Sequence, residues 1–367
     1  MMGELALRYP PGELIVSTGR YLGAAESDGR FPQPIDRVNV AAQRLRTVWG
    51  LARWTWRARA LARRHGVGFS WCAEFKPAGY PARRLGLPYG VFLYGTELLL
   101  LEARIGRYPL KRWTARRLLG DAAVIVAISQ WTAARARALL GALGLDAAAA
   151  RVRVVPLGTD PVQFRPGLDA GPVRARYGLS GGPWLLTVSR LEWHKGIDTT
   201  IRALPAVRAA VPGTRYAVVG PGPRREQLER IAVEAGVADA VRFLGEVDDG
   251  DLPALYNAVD LYVGASRRHA LMVEGFGISL AEASACGLAV VGGRSGGVSE
   301  AVRDGETGVL VDPDDPAAVA AAVISLLGDP ERRARLGAAG RQAVERYYNW
   351  DRVVRDLIGI DQELRRR

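Results

Sequence analysis

The second half of the chain alternates between short apolar runs and segments of helical period. Runs rich in Val, Leu and Ile predict strands near residues 183–191, 216–220, 241–247, 260–266, 288–293 and 307–313. Between them, apolar residues recur every three or four positions, as on one face of a helix. Strands that are apolar along their whole length are typical of a parallel sheet covered by helices on both faces. The pattern therefore predicts a doubly wound α/β domain.

The first half repeats this pattern less regularly, with apolar runs near residues 13–18, 66–71, 89–95, 122–129 and 151–158. The segment TDPVQFRPGLDAGP, residues 159–172, contains three prolines and two glycines and marks a boundary. We therefore expect two Rossmann-like doubly wound domains that face each other across a cleft. The expected domains are residues 1–165 and 166–345, followed by a C-terminal helix at 346–367. Parallel sheets bind ligands beyond the carboxyl ends of their strands, so the cleft is the expected site.

Composition narrows the class of protein. The chain has 367 residues, is 49% hydrophobic and has a mean hydropathy of zero, which excludes a mainly disordered chain. No apolar run approaches the roughly 20 residues that span a bilayer, and MMGELALRYPPGE lacks a signal-peptide pattern. We expect a cytoplasmic protein, either free or peripheral on the inner face of the cell membrane. Cys72 and Cys286 lie in apolar contexts, and we interpret both as buried free thiols.

The positive charge is confined to the first half. Residues 1–165 carry 25 Lys and Arg against 11 Asp and Glu, whereas residues 166–367 carry 25 against 27. Within TVWGLARWTWRARALARRHG, arginines alternate with tryptophans, of which Trp54 and Trp56 are candidate interfacial anchors. Such a stretch suits an anionic membrane surface or a nucleic acid, although a solvated helix face would look the same. Because the second half is acidic, we expect the membrane surface and no nucleic acid.

The segment EGFGISLAEASACG contains two glutamates eight positions apart, Glu274 and Glu282. Gly275 and Gly277 permit a tight turn into a helix that begins near Ile278, where free amides and the helix dipole favour a phosphate. Glu282 lies about 6 Å further along the helix axis, which is the span from a diphosphate to its ribose. Glu274 lies on the other side of the phosphate position. Each glutamate alone would be an ordinary surface residue, but the combination predicts a sugar-nucleotide site.

A second motif, VSRLEWHKGIDTTI, supports the same ligand. Arg190 ends a predicted strand, and Lys195 precedes the next helix. Two cations at the carboxyl end of a strand can bind a diphosphate and stabilise it as a leaving group. Lys195 is the only lysine in residues 112–367, in a chain that otherwise uses arginine. The sequence therefore predicts that a compact ammonium is required there.

Together, VSRLEWHKG and EGFGISLAEASACGLAVVGGRSGGVSEAV resemble the retaining, nucleotide-sugar-dependent glycosyltransferases of the GT-B fold, family 4. RRHALMVEGFGISLAEASACG is most similar to bacterial mannosyltransferases that act on phosphatidylinositol mannosides and related glycolipids. The resemblance implies that Arg190 and Lys195 bind the donor diphosphate and that Glu274 contacts the transferred sugar. It further implies contacts from Phe276, Gly277, Ile278 and Ser279 to phosphate, from Glu282 to ribose, and from Gly220, Gly222 and Val247 to the base.

The resemblance also concerns the two ends of the chain. In that family the C-terminal helix, here around YYNWDRVVRDLIG, crosses back to the first domain. Members of the family begin with a strand, a Gly-Gly loop and a helix, whereas this sequence opens at what resembles the end of that helix. We therefore expect the first β-loop-α unit to be missing, through a misassigned start or a truncation.

The acceptor side also departs from the family. Where relatives often have His-Gly after a strand, this chain has Tyr94 and Gly95. A tyrosine can hydrogen-bond a sugar hydroxyl but is a poor proton carrier near neutral pH. His269, five residues before Glu274, is a further candidate for contact with the sugar.

The expected function is transfer of a hexose, mannose or glucose, from a GDP- or UDP-sugar to a lipid-linked or glycan acceptor with retention of configuration. We expect no metal site and no cofactor besides the donor. DDGD (248–251) and DPDD (312–315) resemble metal-binding motifs, but each precedes a helix and is better explained by N-capping and turn roles. The alternative function is a nucleotide-sugar-binding module without catalysis, or an inactive fragment of such an enzyme.

Overall fold

The computed structural model describes residues 2–21 and 28–366. The chain divides into two compact units. The first comprises Met1–Pro156 and Trp350–Arg367, and the second comprises Leu157–Asn349. The change of unit after Pro156 comes just before the proline- and glycine-rich segment 159–172, where the sequence analysis set its boundary.

The first unit contains two parallel sheets. Its strands are β1 Val16–Arg20, β2 Ile35–Ala41, β3 Ser70–Cys72, β4 Tyr89–Leu93, β5 Val124–Ala127 and β6 Val152–Val154. Its helices before the second unit are α1 Met2–Arg8, α2 Val48–Arg64, α3 Gly79–Leu85, α4 Thr96–Ile105, α5 Pro109–Gly120, α6 Gln130–Ala142 and α7 Asp146–Ala149, with a 3-10 helix at Ala42–Arg46. Strands β3 to β6 form one parallel sheet in sequence order, and β1 and β2 form a separate parallel pair.

The core of the first unit lies where helices cover that four-stranded sheet. Strand β4 is buried along its whole length, as expected for a central strand of a parallel sheet. Leu98 of α4, Leu118 of α5 and Leu139 of α6 belong to the same buried cluster as Val91 of β4. This packing fixes the loops that follow the carboxyl ends of β3 and β4.

The second unit repeats the architecture with a larger sheet. Its strands are β7 Trp184–Val188, β8 Arg215–Val219, β9 Val241–Gly245, β10 Leu261–Gly264, β11 Val290–Gly293 and β12 Val309–Val311. Its helices are α8 Gly171–Tyr177, α9 Ile197–Ala210, α10 Arg225–Glu234, α11 Leu252–Asn257, α12 Ile278–Ala285, α13 Val298–Ala301, α14 Pro316–Gly328 and α15 Pro330–Arg346, with a 3-10 helix at Trp193–Lys195.

The order of these strands is β12-β11-β10-β7-β8-β9, and every pair is parallel. Starting from β7, the chain first adds strands on one side and then returns to add β10, β11 and β12 on the other. This order is that of dinucleotide-binding folds, in which ligands bind where the order reverses. The reversal lies between β7 and β10, so the loops after these two strands are the expected site.

Alternate residues of β10 face opposite sides of the sheet, as the period of two requires. Leu261 and Val263 belong to a buried cluster with residues of α9, α10 and α14, whereas the hydroxyl of Tyr262 bonds Ser279 of α12. Both faces are therefore covered. Asp315 and Asp329 begin α14 and α15 by accepting hydrogen bonds from amides of the first turn, at 2.8 Å in each case.

The last helix, α16 Trp350–Arg365, belongs to the first unit. Its Arg352 guanidinium is buried and donates to the carbonyl oxygen of Pro156 at 2.5 Å. Asp351 accepts from Arg8 of α1 at 3.3 Å, and Glu363 accepts from Arg153 of β6 at 3.3 Å. These contacts attach the end of the chain to the unit that contains its beginning.

The predicted α/β class with parallel sheets is confirmed, including a strand within each of the eleven apolar runs. Strand β2 was missed because its sequence, IDRVNVA, contains two charged residues and alternates in burial instead of being apolar throughout. The capping role predicted for DPDD is confirmed at Asp315, whereas at DDGD the turn role is confirmed by a bond from the Asp251 amide to the Asp248 carbonyl and the capping role is wrong. The side chain of Asp251 makes no cap and accepts hydrogen bonds from Arg176 and Tyr177 instead. In the described residues, no helix is long and apolar enough to cross a bilayer.

Replacing two glycines in helix interiors by alanine tests this packing, because one change should lower the free energy of unfolding and the other should raise it. A Cβ on Gly337 of α15 would overlap the carbonyl oxygen of Gly287, whereas a Cβ on Gly359 of α16 would meet nothing within 4 Å. We expect Gly337→Ala to lower the free energy of unfolding by about 1–3 kcal/mol because backbone must shift. Gly359→Ala should raise it by about 0.5–1 kcal/mol, since alanine is the better helix former. Calorimetry of each variant beside wild type measures both, and stabilisation by Gly337→Ala would contradict the packing.

Candidate donor site in the second unit

Lys195 and Glu274 meet at the point where the strand order reverses. Lys195 follows β7 and Glu274 follows β10, and Nζ of the lysine lies 2.5 Å from Oε2 of the glutamate. Ser266 Oγ donates to the same carboxylate oxygen at 3.4 Å. The side chains of Lys195 and Glu274 are only 16% and 19% exposed, so their attraction is screened less than that of a surface pair. Both residues were predicted for the site from the sequence, but the bond between them was not.

The two loops are held together by a second ion pair. The backbone amide of Arg267 donates to the carbonyl oxygen of His194 at 2.8 Å. The Arg267 guanidinium binds both carboxylate oxygens of Asp198 at 2.8 and 2.9 Å and Thr199 Oγ1 at 2.6 Å. Gly196 is required at this crossing because a Cβ there would overlap the carbonyl oxygen of Ala265. Arg267 thus fixes the loop after β10 to the start of α9.

Backbone contacts also hold Glu274 in place. Its carbonyl oxygen accepts from the amide of Gly297 at 2.9 Å. Gly296 has a φ of 58°, and a Cβ at that position would overlap the carbonyl oxygen of Glu274. The approach therefore depends on the absence of a side chain at Gly296.

The Gly-Phe-Gly turn leads into α12 as the sequence predicts. Gly275 and Phe276 are buried, and the Phe276 ring packs 5.7 Å from that of Tyr348. Gly277 has a φ of 100° and precedes the first helical residue, Ile278. The first backbone hydrogen bond of this turn runs from Leu280 to Gly277, so the amides before it point outward from the positive end of the helix. This end of α12 can therefore bind an anion.

Glu282 lies one turn into α12 and is oriented by a tyrosine. The hydroxyl of Tyr256 donates to Oε2 of Glu282 at 2.7 Å. Tyr256 is fully buried between the rings of Phe164 and Tyr262. Because Tyr256 cannot move without disturbing the core, it fixes the direction in which the Glu282 carboxylate points.

Arg190 forms an ion pair of its own with Glu192. Its guanidinium is 62% exposed and lies 2.7 Å from Oε1 of Glu192, whose other oxygen lies 3.3 Å from Nδ1 of His194. Burial of His194, followed by the nearby charge of Lys195, lowers the pKa of its imidazole. The structure brings Lys195 and Glu274 together but pairs Arg190 with a residue that the sequence analysis did not consider.

The loops proposed for the base lie beside the Arg190 loop. A Cβ on Gly220 would overlap the carbonyl oxygen of Ser189, and one on Gly222 would overlap the backbone of Leu191. Both glycines are therefore needed for the close approach of the loop after β8. Val247 is half-buried just beyond β9, the next strand of the sheet. These positions suit the predicted contacts with a base, which stay predictions.

The acceptor-side candidates lie in different environments. Tyr94 follows β4 and donates its hydroxyl hydrogen to the carbonyl oxygen of Ala73 at 2.7 Å, and burial raises its pKa. The carboxylate of Glu97 accepts from the amides of Tyr94 and Gly95 at the start of α4, and burial raises the pKa of Glu97. His269 is exposed in a turn, where its amide and carbonyl pair with those of Met272.

Several residues around the site were missed by sequence reasoning: Glu192, Tyr256, Ser266, Arg267 and Gly296. Their positions depend on contacts between distant segments, and a single sequence does not show which segments meet. Glu192, inside the motif LEWHKG, was the one that the spacing could have indicated. Among the described residues, no three His, Cys, Asp or Glu side chains are grouped as a metal site would require.

The fold of the chain is that of solved GT-B glycosyltransferases. HepE of Anabaena, solved with UDP and glucose, superposes with a TM-score of 0.79 over 99% of this chain and 95% of its own, at 20% identity. The sequence profile described as "Glycosyl transferases group 1" matches residues 173–343.

Curated relatives support the same family. A GDP-mannose-dependent alpha-(1-6)-phosphatidylinositol monomannoside mannosyltransferase of Mycolicibacterium smegmatis is 42% identical over 66% of this chain and 63% of its own length. The enzyme of that name from Mycobacterium tuberculosis is 34% identical over 82% of this chain and 77% of its own. The chain belongs to the group 1 glycosyltransferases and resembles their phosphatidylinositol mannoside mannosyltransferases.

The glycine behind Glu274 provides a test of the site. Gly296→Ala should push the Glu274 backbone away and reduce kcat/KM for sugar transfer by about 100-fold, as a displacement of about 1 Å can do. Gly305→Ala is the matched control, because Gly305 also has a positive φ of 75° but a Cβ there would meet nothing within 4 Å. Both variants carry similar backbone strain, so equal activity in the two would show that the position of Glu274 does not matter.

Proposed function

We propose that this chain is a retaining hexosyltransferase that uses a GDP- or UDP-sugar, with mannose or glucose as the sugar, and acts on a lipid-linked acceptor. The observation that carries the proposal is the half-buried Lys195–Glu274 pair at the strand reversal, beside the anion-binding end of α12. One side of this arrangement is suited to a diphosphate and the other to sugar hydroxyls. A nucleotide-sugar-binding module without catalysis would use the same contacts, and sugar transfer in the assay below distinguishes the two.

In this proposal each group has a distinct task. Lys195 and Arg190 neutralise the diphosphate as it becomes the leaving group, together with amides at the start of α12. Glu274 accepts hydrogen bonds from hydroxyls of the transferred sugar, and Glu282, oriented by Tyr256, accepts them from the ribose. The cations do the work that a divalent metal does in other transferases, so we expect transfer without added metal.

The names of relatives guide the choice of substrates. The two mannosyltransferases described above use GDP-mannose and act on a phosphatidylinositol monomannoside, whereas HepE was solved with UDP. The greater sequence identity to the mannosyltransferases favours a GDP-sugar and a glycolipid. Retention of configuration is proposed from the resemblance to family 4.

The proposal is tested by incubating the chain with radiolabelled GDP-mannose or UDP-glucose and membrane extract, with and without EDTA. We expect transfer in both conditions and a product whose anomeric configuration, read by NMR, matches that of the donor. Lys195→Ala should lower kcat/KM by about 10- to 150-fold, since a hydrogen bond to a charged group contributes about 1.5–3 kcal/mol. Arg208→Ala is the control, because Arg208 is paired with Asp239 on the surface.

Different outcomes separate the alternatives. Donor binding in calorimetry without any transfer would favour the binding module. Wild-type kinetics in Lys195→Ala would remove the diphosphate assignment. Transfer that stops in EDTA and returns with magnesium would contradict metal independence.

We further propose that the first unit binds an anionic membrane surface, on which its acceptor would lie. Trp49 and Trp56 of α2 are 59% and 71% exposed, and the Arg53 guanidinium lies 5.4 Å from the Trp49 ring. Trp54, which the sequence analysis chose as an anchor, is not available because its indole donates to Ser17 at 3.0 Å. Exposed indoles beside an exposed arginine suit the interface between headgroups and acyl chains.

The membrane proposal predicts binding to anionic vesicles that weakens with salt. Replacing Arg53 by Gln should cost about 1 kcal/mol, or about fivefold in affinity, and replacing Trp49 and Trp56 as well should cost more. Sedimentation with anionic and neutral vesicles at low and high salt measures this. Arg230→Gln with Val233→Gln, both exposed on α10 of the second unit, is the matched control. Equal sedimentation with both vesicle types would show that α2 presents only a solvated face.

A further inference from the structure

Two of the three lysines of the chain lie close together in the first unit. Lys76 follows β3, and its Nζ donates to Oγ1 of Thr114 at 2.8 Å. Thr114 lies on α5 one turn beyond Lys111, and its hydroxyl donates to the carbonyl oxygen of Lys111 at 3.0 Å. Each ammonium lies over an aromatic ring, with Lys76 Nζ 5.4 Å from the centroid of Phe75 and Lys111 Nζ 4.4 Å from that of Tyr108. We call Lys76, Lys111 and Thr114 the lysine cluster.

The positive charge of the cluster is not paired with a carboxylate among the described residues. In the part of the chain that the structure describes, neither lysine forms an ion pair. Two carboxylates near it in sequence have other partners, since Glu74 pairs with Arg46 and Asp121 with Arg83. Lys76 and Lys111 are both half-buried, and burial, followed by the charge of Lys111, lowers the pKa of Lys76. Two partly desolvated ammonium groups that repel each other are unfavourable unless an anion lies against both.

The position of the cluster is that of a ligand site. Lys76 lies beyond the carboxyl end of β3, the edge at which parallel sheets bind ligands. The adjacent loop carries Tyr94 and Gly95, and the bond from Tyr94 to Ala73 ties the loops after β3 and β4 together. A lysine that served only as a stabilising surface charge would not need to lie at the carboxyl edge of the sheet or to be partly buried.

The residue type indicates which anion would bind. Of 50 basic residues, 47 are arginines, which suit planar carboxylates as well as phosphates through paired hydrogen bonds. An ammonium is a compact donor in three directions and binds phosphate oxygens as a point charge. Two ammonium groups therefore match a tetrahedral phosphate better than a flat carboxylate.

We propose that the ammonium groups of Lys76 and Lys111, with Thr114 holding Lys76 in position, form a phosphate-binding site for the phosphate group of the acceptor. The site itself follows from the lysine cluster, and only the identity of the molecule that carries the phosphate rests on the proposed function. Leu110 and Trp113, next to the cluster on α5, are 72% and 56% exposed. This apolar surface favours a phosphate attached to a lipid over a free phosphate ester.

The small number of lysines allows a direct test. Labelling with [13Cε]lysine gives one signal for each of Lys76, Lys111 and Lys195, and single Lys→Arg variants assign them. We expect inorganic phosphate and glycerol 3-phosphate to shift the signals of Lys76 and Lys111 in a saturable way. GDP should shift the signal of Lys195, which lies in the second unit. If phosphate and glycerol 3-phosphate leave Lys76 and Lys111 unchanged, and vesicles of phosphatidylinositol do as well, the site is refuted.

Variants test the two ammonium groups separately. Lys76→Met and Lys111→Met should each weaken binding of glycerol 3-phosphate by about tenfold or more. Arg112→Met, an exposed neighbour on the same helix, should change it by less than about twofold. Equal affinity in all three variants would overturn the proposal, and the wild-type titration decides the matter if Lys76→Met does not fold.

The source of the phosphate is decided by a further comparison. If Lys76→Met and Lys111→Met weaken binding to phosphatidylinositol vesicles more than Arg112→Met does, a lipid headgroup is supported as the source. Dependence seen only with glycerol 3-phosphate supports a free phosphate ester at the same site. A response of Lys76 and Lys111 without a response of Lys195 to GDP would leave this site standing and would count against the proposed donor site.

Discussion

The ion pair between Lys195 and Glu274 is the interaction around which the second unit is arranged. The two residues are 79 positions apart and meet because the strand order reverses between β7 and β10. A half-buried pair of this kind is stabilising only when both side chains are held in register, since each charge has lost part of its hydration. The surrounding contacts supply that constraint. Arg267 binds Asp198, and Gly196 and Gly296 let backbones approach where any side chain would interfere.

The sequence predicted what depends on local pattern. Apolar runs located strands in both units, and Gly277 located the start of α12, because a positive φ before a helix is a local requirement. The direct bond between Lys195 and Glu274 was not predictable, because it depends on which strands are neighbours. The same reason explains why Tyr256 was missed as the partner of Glu282. Trp54 was misjudged because alternation of Trp and Arg does not show which face of α2 packs against β2.

The cations named in the two units differ in whether they are paired with carboxylates. In the second unit the site cations are paired inside the unit, Arg190 with Glu192, Lys195 with Glu274 and Arg267 with Asp198. In the first unit Lys76 and Lys111 have no carboxylate among the described ion pairs, and arginines such as Arg53 are exposed beside indoles. Paired cations hold a fixed geometry, whereas uncompensated cations attract anions from solution.

The pairing of Lys195 with Glu274 affects how a diphosphate would bind in the second unit. An anion that approaches Lys195 competes with the Glu274 carboxylate, which is already 2.5 Å from the ammonium. If Glu274 is turned toward sugar hydroxyls at the same time, the carboxylate exchanges one set of donors for another and is never left without a partner. A diphosphate without a sugar offers no such exchange, because it displaces the carboxylate from Lys195 and leaves it the long contact from Ser266. The free energy of the site with the sugar nucleotide bound therefore differs from that with the nucleotide alone bound. By this difference the pair can favour the intact sugar nucleotide over the nucleotide product.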